Sequence, residues 1–291
     1  MADALDLLVR PTHLAPEERA ELLALKERCD RHDGVDHPVH REIGTFTLLA
    51  RRGAELLGAV GVQDGDPIEL LGLVDPAHRQ QGIGRRLLEA AKQEARRRGQ
   101  RELLLTVDEA STTGLAFAEA VGGRRRHAEY RMELERIPEE RDWSPPLELR
   151  AATLDDLAAF VAVLAAGFDD PGERVRDREV RRLGDPRQRA YIALLGGRPV
   201  GAIRAGAHDD GVYVTSFAVV PDLRGRGLGR QMLTRLVRQL ADEGRSPIRI
   251  EVETENENAL GLYRSCGFRL QQAFAYYALA AGRATGATAG R

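Results

Sequence analysis

The sequence predicts an α/β (α+β) protein made of two copies of one unit, each a mixed, mostly antiparallel sheet flanked by helices. Three observations carry this. The chain has 291 residues, and domains usually span roughly 100–200. The run Val74-Asp75-Pro76-Ala77-His78-Arg79-Gln80-Gln81-Gly82-Ile83-Gly84-Arg85 returns 145 residues later as Val219-Val220-Pro221-Asp222-Leu223-Arg224-Gly225-Arg226-Gly227-Leu228-Gly229-Arg230. The offset persists downstream, where Leu88 maps to Leu233 and Gly122 to Gly267. Before this motif, short apolar segments alternate with Gly-rich turns; after it the apolar spacing becomes helical. Solenoid repeats have periods of roughly 20–50 residues, so a repeat this long is a duplicated domain.

The elements are clearest in the second half. Leu147–Ala151 is expected as a strand. Leu154–Ala166 is expected as a helix, with Thr153 as its N-cap and Asp156 at the third helical position. A polar helix is expected over about Glu173–Leu183. Ala190–Leu195, Pro199–Ala207 and Val212–Val220 are expected as successive strands. Gly196-Gly197-Arg198 and Asp209-Asp210-Gly211 turn between them. The glycine loop then opens a helix whose apolar residues are Leu228, Met232, Leu233, Leu236, Val237 and Leu240. Ile248, Ile250 and Val252 alternate with Arg249, Glu251 and Glu253, as a half-buried strand does. A short helix (about Asn258–Ser265) and a last strand (Phe268–Leu279) complete the unit. The first half follows the same order. Pro138, Pro145 and Pro146 interrupt the chain between them. The expected division is therefore residues 1–137, a linker 138–146, and residues 147–279. Residues 280–291 are Ala, Gly, Thr and Arg without periodicity, and a disordered tail is expected there.

Composition narrows the class. Hydrophobic residues make up 43% and charged residues 30%, enough apolar material for two cores. The net charge is −2, so there is no global field to hold nucleic acid or an anionic membrane. No apolar run approaches the roughly 18 residues of a membrane span, and the first residues are acidic where a signal peptide would be basic. Cys29 and Cys266 do not form a disulfide framework. A cytoplasmic monomer or homodimer is expected. Asp30, His32, Asp33, Asp36, His37 and His40 cluster in the first half, but Gly34 and Pro38 break the segment. A polar loop is expected there, and no metal.

Gly225, Gly227 and Gly229 alternate after an apolar strand and before an amphipathic helix. Without Cβ atoms the backbone can take unusual dihedrals and approach a ligand closely. Its N–H groups and the positive helix N-terminus then face one point, where Arg224, Arg226 and Arg230 add charge. A pyrophosphate suits such a site. The G-x-G-x-x-G spacing of a dinucleotide fold and the Gly-Lys-Ser/Thr of a P-loop are both absent.

This loop resembles the acetyl-CoA pyrophosphate loop of the GNAT acetyltransferase superfamily. Tyr263-Arg264-Ser265-Cys266-Gly267-Phe268 resembles that family's second motif, with Asn256 and Asn258 just before it. The tandem layout is similar to the mycothiol synthase family, which places catalysis in the C-terminal domain. The resemblance implies transfer of an acetyl group from acetyl-CoA to an amine, of a small molecule in the first instance, by direct attack and without a metal. Phe217, Ala218 and Val219 would line the cofactor, with the Val219 N–H polarising the thioester carbonyl. Arg224 to Arg230, Leu228 included, would hold the pyrophosphate. Tyr263 would protonate the departing thiolate. Asn256 and Asn258 would bond the CoA arm or cap the short helix. Many members carry a carboxylate on the fourth strand. Tyr213-Val214-Thr215-Ser216-Phe217 has none, and Tyr213 aligns with the glutamate of the mycothiol synthases. The missing carboxylate keeps open a binding protein without turnover, and nothing in the sequence ranks acylation of a protein N-terminus or lysine against small amines.

By the same resemblance, Leu73, Val74, Arg79, Gln80, Gln81, Gly82, Ile83, Gly84 and Arg85 would form a second CoA-binding stretch. The reactive group is missing there, because the 145-residue offset places Ala118 at Tyr263 and Ser111 at Asn256. The first half is expected to do no chemistry.

Overall fold

The computed structural model describes residues 5–11, 14–37, 46–63, 67–183, 185–208 and 210–282. His40, Pro38, Asp209 and residues 283–291 of the expected tail lie outside them. The chain forms two compact units, Met1–Ala128 with Ala273–Arg291, and Glu129–Gln272.

The first unit runs β1 (Leu5–Pro11), α1 (Pro16–Asp33), β2 (Phe46–Arg52), β3 (Glu55–Gln63), β4 (Ile68–Val74), α2 (Ile83–Arg97), β5 (Glu102–Asp108) and α3 (Thr112–Ala120). It ends in the start of β6 (Arg124–Leu134). The second contains the rest of β6, then β7 (Glu148–Ala151), α4 (Leu157–Phe168), α5 (Gly172–Leu183), β8 (Gln188–Leu195), β9 (Arg198–His208), β10 (Gly211–Val219), α6 (Leu228–Asp242), β11 (Ile248–Glu253) and α7 (Glu257–Ser265). A final strand, β12 (Phe268–Ala280), follows.

Within each unit the strands pair antiparallel except for one parallel pair. β4 runs parallel to β5 over Ile68↔Leu103 to Leu70↔Leu105 only, and β10 parallel to β11 over Val212↔Ile248 to Val214↔Ile250 only. Past those three pairs the strands part, and the later halves of β4 and β10 border a gap.

The closing strands differ from the simple division of the chain at residues 138–146. Phe274 to Ala280 pair with β5 in the first unit, and Glu129 to Glu133 pair with β11 in the second. Ala275, Tyr277 and Leu279 join the core around α2, whereas Met132 joins the core around α6. Charge complementarity accompanies the second exchange: Arg131 meets Glu251 at 2.8 Å, and Arg249 meets Glu133 at 2.9 Å.

Helix α6 buries Leu228, Met232, Leu233, Leu236, Val237 and Leu240 along one face, as its spacing predicts. Each such side chain contributes roughly 1.5–3 kcal/mol of apolar transfer. On the other sheet face α4 buries Phe160, Val161, Val163 and Leu164. The polar helix α5 is fastened by one buried ion pair, Glu179 to Arg204 of β9, with both side chains fully buried. Helix α1 carries Asp30, His32 and Asp33 in its last turn and stops at Gly34, whose φ is 70°. That end of the expected polar loop is therefore helical. Among the described residues no group of side chains could hold a metal ion, and no helix is long and apolar enough to cross a membrane.

Thr153 and Asp156 sit on a single 3₁₀ turn, Leu154–Asp156, that leads into α4. The Asp156 carboxylate accepts from Thr153 N–H at 2.8 Å and takes both guanidinium nitrogens of Arg150 at 2.8 Å. The Arg150 bonds first, and Thr153 second, hold its pKa below the ordinary 3.8. Its stabilisation is therefore present above about pH 4 and shrinks as pH falls toward the folded value. Asp156→Ala should cost about 0.5–2 kcal/mol at neutral pH, with the difference from wild type narrowing below that pH. Urea denaturation at pH 7 and pH 3 measures both; equal midpoints for the two proteins at pH 7 would contradict it.

Candidate active site

Each glycine loop lies at the end of the central strand, beside the gap. In the second unit Val220 N–H donates to Val200 O at 3.0 Å. Antiparallel partners alternate, so Val219 turns its N–H away from β9 and into the gap beside β11. The first unit repeats this. Asp75 N–H donates to Leu57 O at 2.8 Å, and the Val74 N–H faces its own gap.

The strands differ one step earlier. The β10–β9 register shifts between Thr215 and Ala218, and Ser216 has a φ of 48°. A non-glycine residue there is strained by about 1–2 kcal/mol. The bulge divides the neighbours: Phe217 and Val219 pack with the α6 core, Ala218 with the α4 core. β4 pairs with β3 without a shift from Gly58↔Val74 to Gln63↔Glu69. The 145-residue offset puts Gly72 where the second unit has Phe217.

Beyond the strand, Gly225 and Gly227 have φ of 75° and 78°, and a Cβ on either would meet no protein atom within 4 Å. Gly227 is the N-cap of α6 and has no side chain to close the first turn. The first N–H groups of the helix therefore point at open space, which suits an anion. Gly229 serves packing instead, since a Cβ there would sit 3.3 Å from Leu262 Cδ2 and 3.6 Å from Phe217 Cζ. In the first loop Gly82 has φ 79°, and Gln80, in place of Gly225, accepts φ 62°.

The leading arginine of each loop reaches back rather than outward. Arg224 Nε donates to Val219 O at 3.1 Å and its Nη2 to Gly167 O at 2.6 Å. Arg79 Nε donates to Val74 O at 3.1 Å, and its other nitrogens meet Asp33 at 2.7 and 2.8 Å. Both tie the loop to the C-terminal end of a helix, Arg79 to α1 and Arg224 to α4. Arg226 and Arg230 are exposed beside the second loop, while Arg85, exposed in the first, donates to Ala120 O at 3.0 Å.

Helix α7 brings Tyr263 to the same end of the sheet. Asn256 caps it, its Oδ1 accepting from Ala259 N–H at 3.1 Å, and Asn258 is exposed in the first turn. The Tyr263 ring is 7% exposed and lies between Phe217 and Phe268, at centroid distances of 6.2 and 6.3 Å. Burial pushes its pKa well above the ordinary value of 10, so the hydroxyl stays protonated. Cys266 is fully buried with its thiol also pushed up by burial, a placement for packing. In the first unit Ala118 fills the tyrosine position inside the core, and Ser111 caps α3 through Gly114 N–H at 3.2 Å.

Tyr213 does not lie free on the strand. Its hydroxyl donates to Asp210 Oδ2 at 3.1 Å and accepts from Arg249 at 3.3 Å. The larger cavity, about 700 Å³, runs along the first loop past Gly72, Val74, Gly82 and Phe117. It is roomy where Gly72 replaces an aromatic ring, but its lining holds no tyrosine.

Comparison with known proteins decides the family. The acetyltransferase (GNAT) family model matches twice, over residues 5–122 and 152–268. The chain belongs to the acetyltransferase (GNAT) family. A mycothiol acetyltransferase from Clavibacter sepedonicus is 32% identical over 88% of this chain and 90% of its own length. One from Thermobifida fusca is 28% identical over 91% and 95%. Among solved structures, a GCN5-related N-acetyltransferase from Sphaerobacter thermophilus superposes with a TM-score of 0.76 at 17% identity, covering 94% of this chain and 96% of that one. A tandem GNAT protein from the clavulanic acid biosynthesis pathway gives 0.70 at 20% identity, covering 97% and 100%. The chain is a tandem GNAT enzyme, an acetyl-CoA-dependent N-acetyltransferase related to the mycothiol acetyltransferases.

Some site features were beyond sequence reasoning. The bulge at Ser216, the inward turn of Arg79 and Arg224, and the Tyr213 network have no local signature. The nearest signal was the exchange of Gly72 for Phe217 between the repeats.

Proposed function

We propose that the second unit carries out the transfer and that its acceptor is an amine of the mycothiol type, as the names of the relatives suggest. What supports the first part is that the Val219 N–H and the open glycine loop border one gap, and that the Tyr263 ring packs against Phe217 of the same strand. In this reading the amide groups from Gly225 to Gly229 hold the pyrophosphate, with Arg226 and Arg230 nearby. The neutral amine attacks the thioester carbonyl, whose oxygen gains charge against the Val219 N–H. The C–S bond then breaks, Tyr263 gives its proton to the thiolate, and the amine proton leaves to water. Arg224 supports the loop, and Asn256 orders the start of α7. The first unit accommodates a CoA in its cleft without turning it over, because Ala118 offers no proton.

On the net charge of −2, we assign no nucleic-acid or membrane partner, and place the enzyme in the cytoplasm as a monomer or homodimer.

The pH profile tests the role of Tyr263. The group donates only while protonated, and burial raises its pKa above the ordinary value of 10. kcat/KM, followed by thiol release, should rise with pH as the acceptor amine becomes neutral and show no descending limb below about pH 10. A fall beginning near neutrality, with the protein still folded, would point to a different proton donor.

A further inference from the structure

We propose that the cleft of the first unit holds an acyl-CoA whose chain is longer than acetyl, with the chain lying in an apolar recess between β4, β5 and α2. This deepens, and rests on, the reading that the first unit accommodates a CoA without turning it over.

The sheet sets where the recess lies. Leu70 and Val74 belong to the core around α2, Leu71 and Leu73 to the core around α1. Strand alternation therefore turns Gly72 toward α2, where a Cβ would stand 3.2 Å from Val60 Cγ2. In the second unit the matching space is filled. Phe217 packs with the α6 core and stacks on Tyr263 at 6.2 Å. The 145-residue offset puts Gly72 and Ala118 at those two positions, so neither ring has a counterpart. The first unit keeps the room as part of its cavity of about 700 Å³.

One end of that cavity suits an anion, because it is bordered by Gly82 and the start of α2. From Val74 the lining continues past Gly72 to Leu70, about 13 Å along the strand. There the recess stops, since Leu70 and Leu105 form the last parallel pair and the strands meet. Its inner walls are Val60, Leu70, Leu87, Leu88, Leu105 and Val107, all of them apolar and buried. A space of this kind stays dry and takes apolar groups. With the thioester carbonyl at the Val74 N–H, an acetyl group would leave most of the recess empty, whereas a longer chain would reach the leucine floor. Toward α1 the cleft is bridged. Arg79 meets Asp33 at 2.7 and 2.8 Å and donates to the Thr113 hydroxyl of α3 at 3.3 Å. The bound chain is thus retained, in a site whose lining offers no tyrosine for transfer.

The test uses the full-length Gly227→Val protein, whose disabled second loop confines CoA binding to the first unit. Calorimetry compares acetyl-, hexanoyl- and dodecanoyl-CoA. Each buried methylene strengthens binding about fourfold, so hexanoyl-CoA should bind about 10–100-fold tighter than acetyl-CoA. Dodecanoyl-CoA, too long for the recess, should bind no tighter than hexanoyl-CoA. Adding Gly72→Phe, which copies Phe217, should remove the hexanoyl advantage and keep acetyl-CoA binding. Equal affinity for the acetyl and hexanoyl thioesters, a continued rise to dodecanoyl, or an advantage that survives in folded Gly72→Phe protein would overturn the proposal. The comparison of chain lengths needs no change in the first unit, so it decides the matter even where Gly72→Phe fails to fold. Adding Gly82→Val instead should abolish binding of all three. If binding survives that change, or no thioester binds without it, the reading beneath the proposal falls as well. If acetyl-CoA binds and hexanoyl-CoA binds no tighter, only the recess is wrong.

Discussion

Tyr263→Phe should lower kcat by about 10²–10⁴-fold while leaving acetyl-CoA affinity unchanged. A positioned general acid contributes on that scale. The substitution removes one oxygen and keeps the ring, so the packing against Phe217 and Phe268 survives. Among the described residues no hydrogen bond engages the hydroxyl, so its removal breaks none among them. A structural tyrosine would therefore lose little on conversion to phenylalanine, whereas a proton donor loses its function outright. Burial also keeps the group protonated at every working pH, which is the state the departing thiolate requires. Steady-state thiol release gives kcat, and calorimetry with acetyl-CoA gives affinity. A variant with wild-type kcat would make Tyr263 a packing residue and leave protonation of the thiolate to water.

The parts of this enzyme that were legible in its sequence are those written locally. The two glycine loops were, because left-handed turns need glycine at fixed offsets, and Gly82, Gly225 and Gly227 take those dihedrals. Helix α6 was, through the spacing of Leu228 to Leu240. Pairing between distant strands was not. The segment Phe268–Leu279 alternates in hydrophobicity, and such a pattern names a buried face but no partner. It was expected to close the second unit, yet Phe274 to Ala280 pair with β5 in the first. The cap at Asn256 was one of two readings of that residue, and the structure has its side chain on Ala259 N–H. Arg224 illustrates a further limit. Its position in the loop was evident, but a long side chain chooses its partner in three dimensions, and here it holds Val219 O and Gly167 O. Ser216 marks the deepest omission. Its left-handed backbone shifts the β9–β10 register, and neither serine nor its neighbours announce a bulge.

The division of labour between the units is best tested by two matched substitutions, Gly82→Val and Gly227→Val. The positions are geometric twins, with φ of 79° and 78° and open space beyond the Cβ in each. Valine is strained in both by the same cause, and in both its methyl groups enter the space a pyrophosphate must approach. Losing two charge-assisted bonds to the pyrophosphate corresponds to about 100-fold or more in affinity. Strain and folding effects are thus shared, and the difference in thiol release on one acceptor reports which loop serves turnover. With circular dichroism confirming that both variants fold, Gly227→Val should lose nearly all activity and Gly82→Val should retain most of it. The reverse pattern would place the chemistry in the first unit and contradict the assignment of Tyr263.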